Sequence, residues 1–126
     1  MNMKNKIMGE QEKDLLFKDI CARLPYKTLV NIDGNRYRME EVCNALIGID
    51  TYKTTVDNCN IEQVKPYLFP LSSMTEEQLV ELSSISFEHS IDSSIKTLNW
   101  CYKNHFDINN LIPKGLAIDA TGLNIY

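Results

Sequence analysis

The side chains of this sequence best suited to chemistry sit in two places. Arg36 and Arg38 are two residues apart, so an extended strand would project both guanidinium groups from one face. Such a pair can grip a phosphate or carboxylate bidentately. The competing reading is a solvated sheet face with Asp33 or Glu40 beside it. The second place is Asn99-Trp-Cys-Tyr-Lys-Asn-His-Phe-Asp107, which holds the only Trp and one of the two His residues. Cys101 and His105 have the helical spacing that can bring a thiol to an imidazole, and His105 with Asp107 has the parts of an acid–base pair. Both Cys101 and His105 lie close to the apolar stripe of the helix that carries them, which favours structural roles. His89 has no obvious partner. No Gly-rich loop opens a helix and the carboxylates form no paired motif, so no catalytic residue is assigned.

Trp100 offers the widest contact surface. On a helix from about Ile91 to Asn104, Ile91, Ile95, Leu98 and Tyr102 form one apolar stripe, and Trp100 points to the opposite side among Lys96, Lys103 and Asn104. Two readings stand. Trp100 is a stacking platform or interface anchor, or it packs under the apolar segment that ends at Tyr126. Chain ends are usually polar and frayed, whereas this segment stays apolar to its final residue, so it is expected to fold back on a core or a second subunit. The candidate ligand-binding set is Trp100, Arg36, Arg38, Tyr67, Phe69 and Lys114, which supplies rings for stacking and cations for phosphate.

The elements that must position these residues follow from periodicity. Leu16, Phe17, Ile20, Cys21 and Leu24 recur at helical spacing, with acidic residues enriched at the start, and Pro25 forces an exit. The helix is expected over about 10–24. From Lys27 the period changes to alternation, and Asp33-Gly34 is a hairpin signal leading to a returning strand Arg36–Met39. Val42–Ile49 and Tyr52–Val56 read as a second antiparallel pair around Asp50-Thr51, unless Glu40 and Glu41 open a short helix through Leu46. Lys65-Pro-Tyr-Leu-Phe-Pro70 is extended, because its prolines fix φ and remove donors, and belongs along an edge or across a sheet end. Thr75 and Gln78 have capping-box spacing with Met74 and Leu79 as the staple, opening a helix to about Ser84. Ser90 caps the helix that carries Trp100. Asp107 is placed to cap a short turn through Leu111 ended by Pro113, and Leu116–Ile118 adds a late strand.

The expected fold is therefore α+β: an N-terminal helix, a small antiparallel β-meander or open barrel, two helices and an apolar C-terminal tail. The 126 residues form a single domain of ordinary globular composition, 44% hydrophobic and 24% charged, with room for a core without staples. A net charge of −4 argues against a general nucleic-acid binder. Cys21, Cys43, Cys59 and Cys101 have long, irregular gaps and no His at ligand spacing, so no metal site and no cofactor is expected. They read as free thiols in a reducing cytoplasm, with Cys21 and Cys101 as small buried hydrophobes on helix faces. No signal peptide and no membrane span is expected.

Three segments carry a resemblance: Lys18-Asp-Ile-Cys-Ala-Arg-Leu-Pro-Tyr26, Val64–Gln78, and Asn99–Asp107 with Leu111–Ile118. Covering under half the chain, they resemble a group of small uncharacterised proteins of gut anaerobic bacteria, their phages and mobile elements, for which no activity is established. The resemblance implies a soluble accessory protein of a bacterial or phage cytosol. Phage proteins of this size often counter host defence. The expected function is accordingly non-enzymatic binding, with a nucleotide-type immune signal sequestered by a small homo-oligomer. The alternative is a protein–protein interaction inhibitor or assembly component that docks on a host protein and has no small-molecule ligand.

Overall fold

The computed structural model describes residues 9–43, 46–50 and 55–126. Helix α1 (Glu10–Arg23) opens on Gly9, whose N–H donates to the Glu12 carboxylate at 3.1 Å, and gives way at Leu24–Tyr26 to a 3₁₀ turn holding Pro25. Strands β1 (Leu29–Ile32) and β2 (Asn35–Cys43) form the expected hairpin. Both turn residues, Asp33 and Gly34, have positive φ (52° and 84°), as a two-residue turn matched to strand twist requires.

Strands β3 (Leu46–Asp50) and β4 (Thr55–Asn60) complete an antiparallel meander. The second pair is thus placed differently from its expectation. Val42 and Cys43 prolong β2 instead of opening a new strand, and Glu41–Cys43 are strand, not helix. β2 pairs with β1 only over Asn35–Arg38 and continues to Cys43 against β3, with a register shift in that second pairing between Met39 and Glu41. The Asp50-Thr51 turn falls partly outside the described residues. β5 (Lys65–Leu68) pairs with β1 antiparallel and with the two-residue β6 (Ile118–Asp119) in parallel, giving the order β4-β3-β2-β1-β5-β6. β5 is therefore next to the edge instead of on it. Pro66 is accommodated because its ladder to β1 is only two residues long.

Helices α2 (Glu76–Ser86) and α3 (Ile91–Lys103) form a hairpin. The capping box is present: Gln78 N donates to Thr75 Oγ1 at 3.1 Å, and Thr75 N to Gln78 Oε1 at 2.9 Å. Two clusters result. Leu16 and Ile20 of α1 pack on Val30, Ile32, Met39, Val64 and Leu68 from one side of the sheet, closed by Leu111, Leu116 and Ala117. Trp100, Cys101 and Phe106 form the second cluster with Met74, Leu82 and Ile85. Among the described residues no helix is long and apolar enough to cross a membrane.

Candidate functional site

Strand register decides which side chains share the side of the sheet turned away from α1. Val30, Ile32, Met39, Pro66 and Leu68 face α1 and are buried, so their neighbours in sequence point the other way. Asn31 pairs with Arg36 on one side and Lys65 on the other, making one cross-strand row. Arg38 stands opposite Leu29 one row along, and Tyr67 follows Lys65 by two on β5. Three cations, Arg36, Arg38 and Lys65, are exposed on this face. The Arg36 guanidinium lies over the Tyr67 ring, 5.6 Å from its centroid, and Asn31 Nδ2 donates to the Tyr67 hydroxyl at 2.9 Å. Tyr67 is itself buried, 7% exposed, so what this part of the face presents is the Arg36 guanidinium over it. No carboxylate pairs with Arg36 or Lys65 among the described residues. An exposed guanidinium over a buried aromatic ring, with two further exposed cations on the same face, is suited to a planar, anionic group.

The closing segment borders this face. Ala120 N donates to the Leu68 carbonyl at 2.8 Å, and the Tyr126 hydroxyl accepts from the Leu29 N–H at 2.9 Å while donating to the Tyr67 carbonyl at 2.8 Å. That hydroxyl satisfies the backbone groups of β1 and β5 just beyond the point where their pairing stops. Burial holds it well above the usual tyrosine range, so it remains a donor. The Tyr126 ring stacks on His105 with 3.6 Å between centroids and meets Phe69 edge-on at 5.8 Å. His105 sits just past α3 with φ 63°, where Phe106 N bonds the Cys101 carbonyl and His105 N bonds that of Tyr102. This is a Schellman ending with His at the position that favours Gly. Burial, then the charge of Arg23, lower its pKa to about 4, so the ring is neutral.

Beneath lies an ion pair between two fully buried residues. Arg23 Nε donates to Asp19 Oδ2 at 2.7 Å and its Nη2 to Asp19 Oδ1 at 3.0 Å and the Phe106 carbonyl at 2.6 Å. The Tyr102 ring covers the guanidinium at 4.9 Å, and Asn109 donates to Asp19 at 2.8 Å. Among the described residues Arg23 Nη1 has no hydrogen-bond partner. The pair ties α1 to the end of α3. Asp107 accepts from Leu111 N and Ile112 N at 2.8 and 2.9 Å, the expected cap. Cys101 is buried, and desolvation pushes its thiol up, away from nucleophile chemistry. His105 Nδ1 is directed to Thr28 Oγ1 at 3.5 Å.

Of the expected ligand-binding residues, the fold brings Arg36, Arg38 and Tyr67 to one face. Phe69 is half-buried between Phe106 and Tyr126. Lys114 is exposed in the turn before Leu116. Trp100 is not a surface platform: it is 7% exposed, stacks on Phe106 at 5.7 Å and donates its indole N–H to Glu81 at 2.8 Å. It packs with α2, not beneath the tail, because Leu82 and Ile85 cover that side of α3. Cys21 is exposed, not buried: the inward places at that end of α1 are held by Ile20 and by Asp19 with Arg23. Asn31, Lys65 and Tyr126 were missed. Alternation already put Asn31 opposite Val30 and Ile32, and Lys65 stands two before Tyr67, so only the pairing of β1 with β5 was lacking. Compared with protein-family models, curated proteins and solved structures, the chain matches none.

Proposed function

We propose that this chain is a non-catalytic binding protein that holds a small anionic, ring-bearing ligand of nucleotide type on the outer face of β1, β2 and β5. The observation that supports this most is the Arg36 guanidinium layered on Tyr67, with Arg38 and Lys65 exposed on the same face. The ligand's ring stacks on the exposed Arg36 guanidinium, which the buried Tyr67 ring backs from below, and its phosphates meet the other cations of this face. Neighbouring strands are about 4.8 Å apart, so cations two strands apart can clasp one phosphate group or two adjacent ones. In a phage or mobile-element setting, such retention would withdraw a nucleotide signal from circulation.

Titration calorimetry against cyclic, linear and ADP-ribose-type nucleotides tests the reading. One class is expected to bind, at least about tenfold more weakly to Arg36→Ala, as for loss of a charge-assisted contact. The ligand is expected back intact after denaturation. Absence of heat across the panel, or undiminished binding to Arg36→Ala, overturns the site.

A further inference from the structure

Tyr126 fills a cleft whose walls it does not build. The His105 ring lies parallel to its ring, 3.6 Å between centroids, and the Phe69 ring meets it edge-on at 5.8 Å. Main-chain bonds fix both walls. His105 N donates to the Tyr102 carbonyl at 3.0 Å, Phe69 N to the His105 carbonyl at 2.8 Å, and Asp107 N to the Phe69 carbonyl at 2.8 Å. The Leu29 N–H and the Tyr67 carbonyl converge on one point, the Tyr126 hydroxyl oxygen, at 2.9 and 2.8 Å. Their strands are joined by the pairings of Val30 with Pro66 and Asn31 with Lys65. None of these supports passes through Tyr126, so the cleft is organised before any ring enters it.

The chain that leads to Tyr126 is a tether. Thr121–Asn124 are exposed, and the N–H groups of Thr121 and Leu123 bond back to Asp119 and Ala120 instead of to the sheet. Gly122 and Asn124 both have positive φ, 80° and 54°. Tyr126 itself is 44% exposed.

The chemistry of the cleft selects its occupant. The Leu29 N–H and the Tyr67 carbonyl lie just beyond the β1–β5 ladder, and both need a partner. They meet at a single atom, so that atom must accept and donate at once, as a hydroxyl does. The rings around it require that the hydroxyl stand on the rim of a flat aromatic. A ring without the hydroxyl would leave both backbone groups unpaired, and sites built to bond a hydroxyl discriminate strongly against the analogue that lacks it.

We propose that this cleft is a binding site for a free hydroxyaromatic molecule, with Tyr126 as its tethered competitor. When the closing segment swings out, the ligand's phenol takes the same stack on His105 and the same two backbone bonds. The segment is then an autoinhibitory plug, present at the millimolar effective concentration of a short tether. The cleft uses the Tyr67 carbonyl and the outer face lies over the Tyr67 ring, so this inference stands apart from the nucleotide reading.

Titration with p-cresol over roughly 0.1–10 mM, followed by the Leu29 amide and His105 ring resonances, tests it in the parent, Tyr126→Phe and Tyr126→Ala. Tyr126→Phe keeps the packed ring and removes only the hydroxyl bonds, so it tests the cleft even where Tyr126→Ala loosens the fold. Affinity for p-cresol is expected to rise in that order, by about fivefold or more at the first step. Toluene, the same shape without the hydroxyl, is expected to bind Tyr126→Ala at least about tenfold more weakly than p-cresol. Failure of p-cresol to bind either variant, or equal binding to parent and variants, overturns the site. Toluene binding as tightly as p-cresol overturns the hydroxyl recognition.

Discussion

The two ends of helix α3 lie in opposite surroundings. Its C-terminal end is bound on several sides: Arg23 reaches the Phe106 carbonyl and lies under Tyr102, His105 stacks on Tyr126, and Trp100 is held by Glu81 and Phe106. Its N-terminal end carries the most regular aliphatic stripe in the sequence, Ile91, Ile95 and Leu98, and all three are exposed. The difference shows that helical periodicity identifies a face that needs cover without saying which neighbour supplies it. Intramolecular cover goes to the Trp side because α2 brings Leu82 and Ile85, and the turn before it Met74, to the Trp100–Phe106 cluster. The aliphatic stripe stays exposed among the described residues.

The sharpest break in that contrast comes from the buried ion pair. Asp19→Ala leaves the Arg23 charge uncompensated among buried neighbours, an expected loss of about 3–5 kcal/mol. For a chain of this length that lowers Tm by roughly 10–20 °C, readable by calorimetry. The hairpin caps lie outside this network, so a fall no larger than that of Thr75→Ala, about 1 kcal/mol, would show that Arg23 is not the anchor.

A second prediction sets the faces of α3 against each other. Trp100→Ala removes a buried ring and leaves a cavity, at an expected cost of about 3–5 kcal/mol in urea denaturation. Leu98→Ala removes a half-exposed side chain and is expected to cost about 1 kcal/mol or less. Equal losses would place the two faces in similar environments and remove the contrast.

Local signals made much of this fold legible in advance. The Asp33-Gly34 turn, the Thr75–Gln78 capping box, the Pro25 exit and the Asp107 cap each rest on residues within a few positions of one another. Long-range placement was not legible. Nothing near Asp19 or Arg23 announces that a charged pair would be buried, because Phe106 and Asn109, which complete it, lie more than eighty residues away. The sheet face was half visible for the same reason: alternation put Arg36 and Arg38 together, but Lys65 and Tyr67 joined them only through the β1–β5 pairing. Trp100 was misplaced because the partner that covers it, α2, is a separate helix whose own exposed side is as apolar as its inner one.

A smaller, pH-dependent effect than either core substitution concerns His105, where the bound end of α3 meets the closing segment. Its imidazole has a pKa lowered from 6.5 to about 4, first by burial and then by Arg23. The unfolded chain therefore takes up a proton near pH 6.5 that the folded chain refuses until about pH 4. Stability from this group is complete above pH 6.5, falls as the pH drops through that window and changes no further below it. With allowance for the ring's partial exposure, the expected loss is about 1–2 kcal/mol. Carboxylates titrate at the lower end of the same range, so the test is a difference between two chains. His105→Asn keeps a residue tolerant of the left-handed backbone but cannot titrate. Its stability curve is expected to run flatter than that of the parent between pH 6.5 and 5. Parallel curves would mean that the Tyr126 stack does not shield the imidazole, and that this end of the helix is less enclosed than the hairpin comparison requires.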